Sequence, residues 1–420
     1  MSERVAITRC QPQADEHAVR GAVASAVEAV CDLGTLVRGK SVLVKPNIFA
    51  PIMPPGTTDP RVAAAIVDLA LGAGAKRVVV GEGRSVSTAL YRSVGHRTTR
   101  TCAQFTGIER AVEEAGAECV FFDEGEWLPV DVDGQVLRRA EVARAVLDCD
   151  VLINVPVMKV HSLTLVTLCV KNQHGILSDD CKVFGHCYLD AQLSRKLVDI
   201  LLIRKPDLNV VDAMQGMEGD HASGGVVEMG LIVAGTDAVA ADAVCSALMG
   251  FAPEEIDTTR IAHERGLGVG NLSRIQVIGV PIEHAALQGH PEGGPSGSPE
   301  RAARKFRRPD IAISGEGFPG LRVFGESHCR SCQYYIRRGL DAAKEKGCFD
   351  GDRWFSLVLD GAAHPPDDAP GKVIVAGHDA LNSEWVKRMR PALEREGRFV
   401  ALESQPPMEF RLRAPQLLAA

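Results

Sequence analysis

Short apolar runs alternate with amphipathic stretches along most of the chain. The runs "KSVLVKP", "KRVVVGEG", "ECVFFD", "DVLINVPV" and "DLNVVDAM" are rich in Val, Ile and Leu and predict strands. The stretches "DPRVAAAIVDLALGAGA", "ERAVEEAGA", "AEVARAVLDC" and "AQLSRKLVDILLIRKP" have helical spacing. Strands that are apolar on both faces and alternate with helices are typical of a parallel sheet covered by helices. We therefore predict an α/β fold with a mainly parallel sheet.

A change in composition divides the chain. The segment "ALQGHPEGGPSGSPERAARKFRRPD" is rich in Gly, Pro and Ser, then basic, and has no periodicity, which predicts an exposed linker. Beyond it, "WFSLVLDG", "GKVIVAG" and "GRFVALES" predict strands, with the helical stretch "NSEWVKRMRPALERE" between the last two. We predict an α/β domain over residues 1–283, a linker over 284–310 and a smaller α/β domain over 311–420.

Polar side chains follow the ends of four predicted strands in the first domain. They are Lys45, Asn47, Glu82, Arg84, Lys159, His161, Asp212, Glu218, Asp220 and His221. Any one of these loops could serve only as a turn or a helix cap. Because the carboxyl ends of parallel strands lie along one edge of a sheet, we expect all four loops to converge on one cleft. The lysines in such a cleft favour a small anionic substrate, which these side chains would bind.

The segment "NVPVMKVHSLTLVTLCVKNQHGILSDDCKVFGHC" concentrates histidines, cysteines and lysines around an apolar run. It could be a core helix with polar ends. A helix over residues 163–172 would instead show one polar stripe to the cleft, made of Thr164, Thr167, Lys171 and His174. Histidine suits proton transfer and metal ligation, and a desolvated lysine can act as a base. We therefore predict His161, Lys171 and His186 as catalytic residues, with His186 also as a metal ligand.

Composition limits the class of protein. The 420 residues are 45% hydrophobic and 24% charged, as expected of a soluble globular protein, and the net charge of -7 disfavours a nucleic-acid partner. No apolar run is long enough for a transmembrane helix, so no membrane partner is expected. The start of the chain lacks an apolar signal region, which favours a cytoplasmic protein with reduced thiols. Oligomerisation is left open.

The cofactor is predicted only by exclusion and by one cysteine motif. The chain has no GxGxxG fingerprint, so we expect neither NAD nor FAD. In "ESHCRSCQYYIRRGLDAAKEKGC", Cys329 and Cys332 form a CxxC that is followed by Cys348. Such a motif is half of a zinc or iron–sulfur site. A redox or metal-carrier protein that uses these cysteines is the alternative to an enzyme.

Several motifs resemble those of a known family. "VLVKPNI", "GAGAKRVVVGEG", "DVLINVPVMKVHSLTLVTLCVKNQHGIL", "KPDLNVVDAMQGMEGD", "GTDAVAADAVCSALMG" and "RGLGVGNLSRIQVIG" occur in the order found in the family called "domain of unknown function 362", over roughly residues 40 to 280. Some members of that family carry iron–sulfur motifs, although the ferredoxin-type cysteine run is absent here. The resemblance implies the fold more than it implies an activity.

A more distant similarity is to the N-terminal part of the nickel-pincer lactate racemases. His161 and Lys171 are ten residues apart, and His186 follows fifteen residues later, which is similar to the order of histidine, cofactor-bearing lysine and metal-binding histidine there. The histidine expected near "GEGRSVST" and the glycines before the lysine are missing. The similarity adds nickel to zinc and iron–sulfur as metals to consider. It also adds racemase or isomerase chemistry to lyase chemistry for the predicted enzyme.

Overall fold

The computed structural model describes two compact units. The described residues are 2–86, 98–185, 190–286, 305–314, 316–325, 330–351, 353–360, 362–376, 378–402 and 408–419. The first unit comprises Met1–Gly185 and Ser194–Pro309, and the second comprises His186–Leu193 and Asp310–Ala420. In this part of the chain no helix has the length and the apolar character needed to cross a membrane.

A mostly parallel sheet organises the first unit. Its strands are β1 (Glu3–Arg9), β2 (Ser41–Pro46), β3 (Arg77–Glu82), β4 (Glu118–Phe121), β7 (Val151–Val155), β8 (Val157–His161), β9 (Leu165–Thr167), β10 (Leu208–Glu218), β11 (Gly225–Gly235) and β12 (Ile275–Gly279), while β5 (Trp127–Asp131) and β6 (Arg139–Ala143) form a separate hairpin. The order is β12-β1-β11-β10-β7-β2-β3-β4, and β8 pairs with both β10 and β9. Only β11 and β9 run antiparallel to their neighbours. The predicted α/β fold with a mainly parallel sheet is confirmed.

Helices cover this sheet. They are α1 (Glu16–Val30), α2 (Leu33–Val37), α3 (Pro60–Gly72), α4 (Thr99–Thr106), α5 (Ile108–Glu114), α6 (Arg144–Asp148), α7 (Cys169–Asn172), α8 (Asp179–Val183), α9 (Asp190–Ile203), α10 (Ala238–Leu248), α11 (Asp257–Glu264) and α12 (Ile282–Ala286). The apolar faces of α1 and α3 share one core with alternate residues of β2 and β3, such as Val42 and Val80. Asp59 caps α3 and Pro60 occupies its first position, which starts the helix at the residue that the sequence predicts.

The second unit is a smaller α/β layer structure. Its strands β13 (Leu321–Phe324), β14 (Phe355–Val358), β15 (Lys372–Ala376) and β16 (Phe399–Leu402) are parallel and pair in chain order. Its helices are α13 (Arg330–Glu345), α14 (His378–Leu381), α15 (Glu384–Arg395) and α16 (Met408–Ala419). Leu357 packs in one apolar cluster and Val358 in another, because successive side chains of a strand point to opposite faces of its sheet.

Two local predictions are wrong. No helix spans residues 163–172: β9 occupies 165–167 and the short α7 begins only at Cys169. The "AEVA" part of a predicted helix belongs to strand β6, and α6 begins at Arg144. In both places the pairing of the chain with a neighbouring strand overrides a short helical pattern, since β9 pairs with β8 and β6 pairs with β5.

Residues at the end of the predicted linker pack against the first unit. The side chain of Phe306 is buried, and its backbone N–H donates to the Met249 carbonyl at 2.9 Å. The Arg307 N–H donates to Glu218 Oε2, also at 2.9 Å. The side chain of Glu218 therefore binds the backbone of this segment.

Candidate functional site

A buried ion pair joins the ends of two adjacent strands. Lys45 near the end of β2 and Glu82 at the end of β3 approach within 2.8 Å, and both side chains are almost fully buried. Burial lowers the pKa of Lys45, and the charge of Glu82 opposes that shift. A Cβ on Gly175 would come within 2.0 Å of Glu82 Oε1, so this glycine is needed for close packing over the pair. The structure therefore pairs Lys45 with Glu82, and its role in binding a substrate stays a prediction.

Lys159 lies on β8 in a pocket of polar and aromatic groups. Its Nζ donates to Asn47 Oδ1 at 3.0 Å and to the Gly56 carbonyl at 2.7 Å. It also stands 4.5 Å from the centre of the Phe49 ring. Burial and, to a smaller extent, the charge of Lys171 lower the pKa of Lys159 to about 7, while the charges of Asp220 and Asp212 oppose this shift. The amine of Lys159 therefore changes its protonation state near neutral pH.

Two histidines lie beside this pocket. His161 is two residues after Lys159 on β8, so both side chains project from the same face of the strand. The ring of His161 lies 4.6 Å from that of His221, which in turn lies 5.6 Å from Phe49. The structure thus brings His161, His221 and Lys159 together around Phe49, as the convergence of strand ends predicts.

Backbone hydrogen bonds select the tautomer of His161. Its Nδ1 accepts from the N–H of Leu163 at 3.1 Å and of Thr164 at 3.4 Å. Since Nδ1 is an acceptor, the neutral ring carries its proton on Nε2. A metal-binding histidine instead donates from the nitrogen that does not bind the metal. His161 therefore fits a hydrogen-bond donor and does not fit a metal ligand.

Two further lysines extend the positive charge along this edge. Burial lowers the pKa of Lys171 to about 8, with Lys45 as the second cause. Burial also lowers the pKa of Lys182, on α8, to about 8. Lys182 is 1% exposed, and in the described part of the chain its Nζ has no hydrogen-bond partner. Within the described residues, neither these two lysines nor Lys159 forms a salt bridge, which leaves an edge that can attract anions.

A chain of asparagine amides fixes the floor of the site. Asn47 Nδ2 donates to Asn172 Oδ1 at 3.1 Å, and Asn172 Nδ2 donates to Asn154 Oδ1 at 2.8 Å. Asn154 Nδ2 continues to Asn209 Oδ1 at 2.9 Å. These four residues belong to the loop after β2, to α7, to β7 and to β10. Buried amides that satisfy one another in this way hold the four elements in one relative position.

The motifs of this edge match one family model. The model described as "Domain of unknown function (DUF362)" matches residues 42–247. We call residues 42–247 the DUF362 domain, after the model that they match. The resemblance predicted from the sequence motifs is therefore confirmed, and the DUF362 domain contains every lysine, histidine and asparagine of the site described above.

Individual relatives are more distant. The "Thylakoid-associated protein sll1697" of Synechocystis sp. is 27% identical over 248 residues, which are 57% of this chain and 73% of that protein. The lactate racemase apoprotein from Thermoanaerobacterium thermosaccharolyticum has a TM-score of 0.40 at 12% identity, covering 99% of this chain and 90% of that one. A Thermotoga maritima protein has a TM-score of 0.32 at 12% identity, covering 97% and 84%. The distant similarity to lactate racemases expected from the sequence is thus found, at a level that carries no functional inference.

The acidic residues predicted at the end of β10 have structural partners. Asp212 accepts from the N–H of Asp59 at 2.8 Å and of Met214 at 3.2 Å, and burial raises its pKa to about 7. Asp220 accepts from the N–H groups of the turn that follows it and attracts the charge of Lys159. Their roles as substrate-binding residues, like that of Glu218, stay predictions.

Arg84 belongs to a second polar group in the DUF362 domain. Its Nη2 lies 2.5 Å from Asp179 Oδ2, and its Nε lies 3.6 Å from Asp123 Oδ2. The group stands beside Lys182, whose pKa responds to the charges of Glu82, Asp179 and Asp123. Of this group, the sequence pattern predicted Arg84 as a site residue but did not predict Asp123, Asp179 or Lys182. Lys182 occurs in the same sequence motif as Lys171, and this position is the signal that could have identified it. The predicted helix over residues 163–172 ends before Lys182 and therefore left it out.

The described part of the structure does not bring the predicted metal ligands together. His186 and Cys329 lie outside those residues. Cys332 and Cys348 are buried in the apolar core of the second unit, where Cys348 Sγ contacts the Pro415 carbonyl at 3.5 Å. Among the described His, Cys, Asp and Glu side chains, no group of three could hold a metal ion. We therefore derive no step through zinc, nickel or an iron–sulfur cluster.

Proposed function

We propose that the DUF362 domain is an enzyme that binds a small anionic metabolite and transfers a proton to or from it. The observation that carries this proposal is the placement of Lys159 on one face of β8 with His161, beside His221. Buried lysines and histidines at the carboxyl edge of a parallel sheet are the groups from which acid–base sites are built.

Binding of the anion would depend on Lys171. Lys171 has no salt bridge in the described part of the chain, and its pKa of about 8 keeps it mostly protonated at neutral pH. A partly buried cation with no counterion gains more from an anion than an exposed one, because water screens it less. An anionic group held there would also be attracted by Lys159.

Proton transfer would depend on Lys159 and His161. With a pKa of about 7, a large fraction of Lys159 is a neutral amine with a free lone pair, the form that accepts a proton. His161, with its proton on Nε2, can donate a hydrogen bond to an oxygen on which charge develops. A base and a donor of this kind suit the removal of a proton from the carbon beside a carboxylate.

That first step is common to racemases, isomerases and lyases, so the site supports this set of reactions as a class. His186 remains a predicted second acid–base group. We propose that the protein binds a small anion and that it does not bind nucleic acid. A cytoplasmic location stays a prediction.

Hydrogen exchange into solvent tests the proposal without knowledge of the product. The full chain is incubated in D2O with a panel of 2-hydroxy, 2-amino and 2-methyl carboxylates, and loss of each Cα–H signal is followed by proton NMR. We expect exchange with at least one compound, and a fall of about 100-fold or more in Lys159→Met because the base is lost. His161→Gln should slow the same exchange.

Lys76→Met is the matched control, since Lys76 is an exposed lysine far from the edge in the pairing scheme of the sheet. It should exchange at the wild-type rate. An unchanged rate in Lys159→Met, or the absence of exchange with every compound in the wild-type protein, would overturn the proposal.

A further inference from the structure

A second cluster in the DUF362 domain combines two cations with two carboxylates. Arg84 follows β3, Asp123 lies in the 3₁₀ turn Phe122–Glu124 after β4, and Asp179 and Lys182 are on α8. Asp123 and Lys182 are each more than nine-tenths buried. Lys196 Nζ donates to the backbone carbonyls of Lys182 and Phe184 at 2.8 and 2.6 Å, which anchors the end of α8.

Four atoms of this cluster are buried without a hydrogen-bond partner among the residues that the structure describes. They are Arg84 Nε, Lys182 Nζ, Asp123 Oδ1 and Asp179 Oδ1. A buried polar atom that makes no hydrogen bond destabilises the folded protein, and a charged one does so more strongly. Native proteins contain few such atoms, and each calls for a partner such as water or a ligand. Here two unsatisfied donors and two unsatisfied acceptors belong to one cluster.

The balance of charge indicates what the partner is. Arg84 and Lys182 supply two positive charges, and Asp123 and Asp179 supply two negative ones, while the adjacent Lys45 and Glu82 cancel each other. A simple anion or cation bound here would leave a net charge in a buried place, which is costly. A molecule that carries one charge of each sign keeps the cluster neutral and satisfies both kinds of atom.

We propose that the Arg84–Asp123–Asp179–Lys182 cluster binds the zwitterionic head group of an α-amino acid. The carboxylate accepts hydrogen bonds from Lys182 Nζ and Arg84 Nε, and the ammonium donates to Asp123 Oδ1 and Asp179 Oδ1. This inference deepens the proposed function by naming its substrate class.

Isothermal titration calorimetry of the full chain with glycine, sodium acetate and methylammonium chloride tests binding separately from turnover. Glycine is the smallest molecule with both charges, whereas acetate and methylammonium each carry one. We expect glycine to bind at least about tenfold more tightly than either half. Lys182→Met and Asp179→Asn should each weaken glycine about tenfold or more, while Lys76→Met should leave its affinity unchanged.

Acetate that binds as tightly as glycine would overturn the zwitterion proposal in favour of a simple anion site. Glycine binding that survives both Lys182→Met and Asp179→Asn, or no glycine binding at all, would also overturn it. Circular dichroism shows whether each variant is folded. Because one variant removes a positive charge and the other a negative charge, the test remains decisive if one of them does not fold. Hydrogen exchange with a hydroxy acid in the absence of glycine binding would leave the proposed function standing while removing this inference.

Discussion

The buried lysines of this edge are held in environments that disfavour their charge. Lys182 shows this most plainly, because its Nζ lacks a hydrogen bond and lies 5.7 Å from the Trp127 ring. The carboxylates around it attract its charge, yet burial outweighs them and lowers its pKa from 10.5 to about 8. Such a residue destabilises the folded protein, and positions of this kind are concentrated at functional sites.

Lys182→Met should therefore stabilise the protein at neutral pH. Between pH 8 and 10.5 the unfolded lysine holds a proton that the folded one has lost, so the free energy of unfolding rises with pH there. The destabilisation is fully present below pH 8 and disappears above about 10.5. We expect the variant to gain about 1–3 kcal/mol at pH 7.5 in urea unfolding, and less at pH 10.

Lys76→Met, at an exposed position, should show no such gain at either pH. A variant of Lys182 that is less stable than the wild type at pH 7.5, or whose advantage does not shrink towards pH 10, would show that its charge is satisfied in the folded protein.

At the scale of elements, the site depends on where strands end and on what joins them. Apolar strand patterns predicted β2, β3, β7 and β10, and the polar residues after them, because the alternation of buried strands and helices is a local signal. Two strands differ from the prediction: Lys159 and His161 lie within an additional strand, β8, and β10 continues to Glu218. Strand length is set by pairing partners that are distant in sequence, so no local pattern could give it.

The asparagine chain is expected to contribute strongly to stability. Asn154→Leu would leave Asn172 Nδ2, Asn209 Oδ1 and the Cys169 carbonyl without their present partner in a buried place. We expect a loss of about 2–5 kcal/mol in urea unfolding. Asn271→Ala, which removes an exposed cap on Ser273, should cost no more than about 1 kcal/mol. Equal losses in the two variants would show that the buried asparagine hydrogen bonds contribute no more to stability than the exposed cap.

At the scale of the whole molecule, every described residue of the candidate site belongs to the first unit. The second unit has its own parallel sheet and its own cores. The composition of the segment before it predicted two α/β regions. The positions of the cysteines in the second unit did not reveal that Cys332 and Cys348 are core residues, because a CxxC pattern has the same form in a metal site and in an apolar helix face.

Leu357→Ala should separate the stability of the second unit from the chemistry of the first. Leu357 is fully buried, and its truncation should cost about 2–5 kcal/mol. Fluorescence of Trp354 and Trp385, which belong to the second unit, can follow this loss in urea. At 20 °C without urea, hydrogen exchange should stay within about twofold of the wild-type rate, since the fold remains populated. A large fall would show that the exchange activity does not reside in the first unit alone.

The sequence by itself determined the fold class, the family and the edge of the sheet at which polar residues gather. These properties follow from the alternation of apolar strands with helices and from the rule that parallel strands end on the same side. Only the tertiary structure decided which of those residues act together. It paired Lys45 with Glu82, set the tautomer of His161, and brought Arg84, Asp123 and Lys182 into one buried cluster. Burial and contacts between distant segments control the charge and the pKa of these side chains, and neither can be inferred from the spacing of residues along the chain.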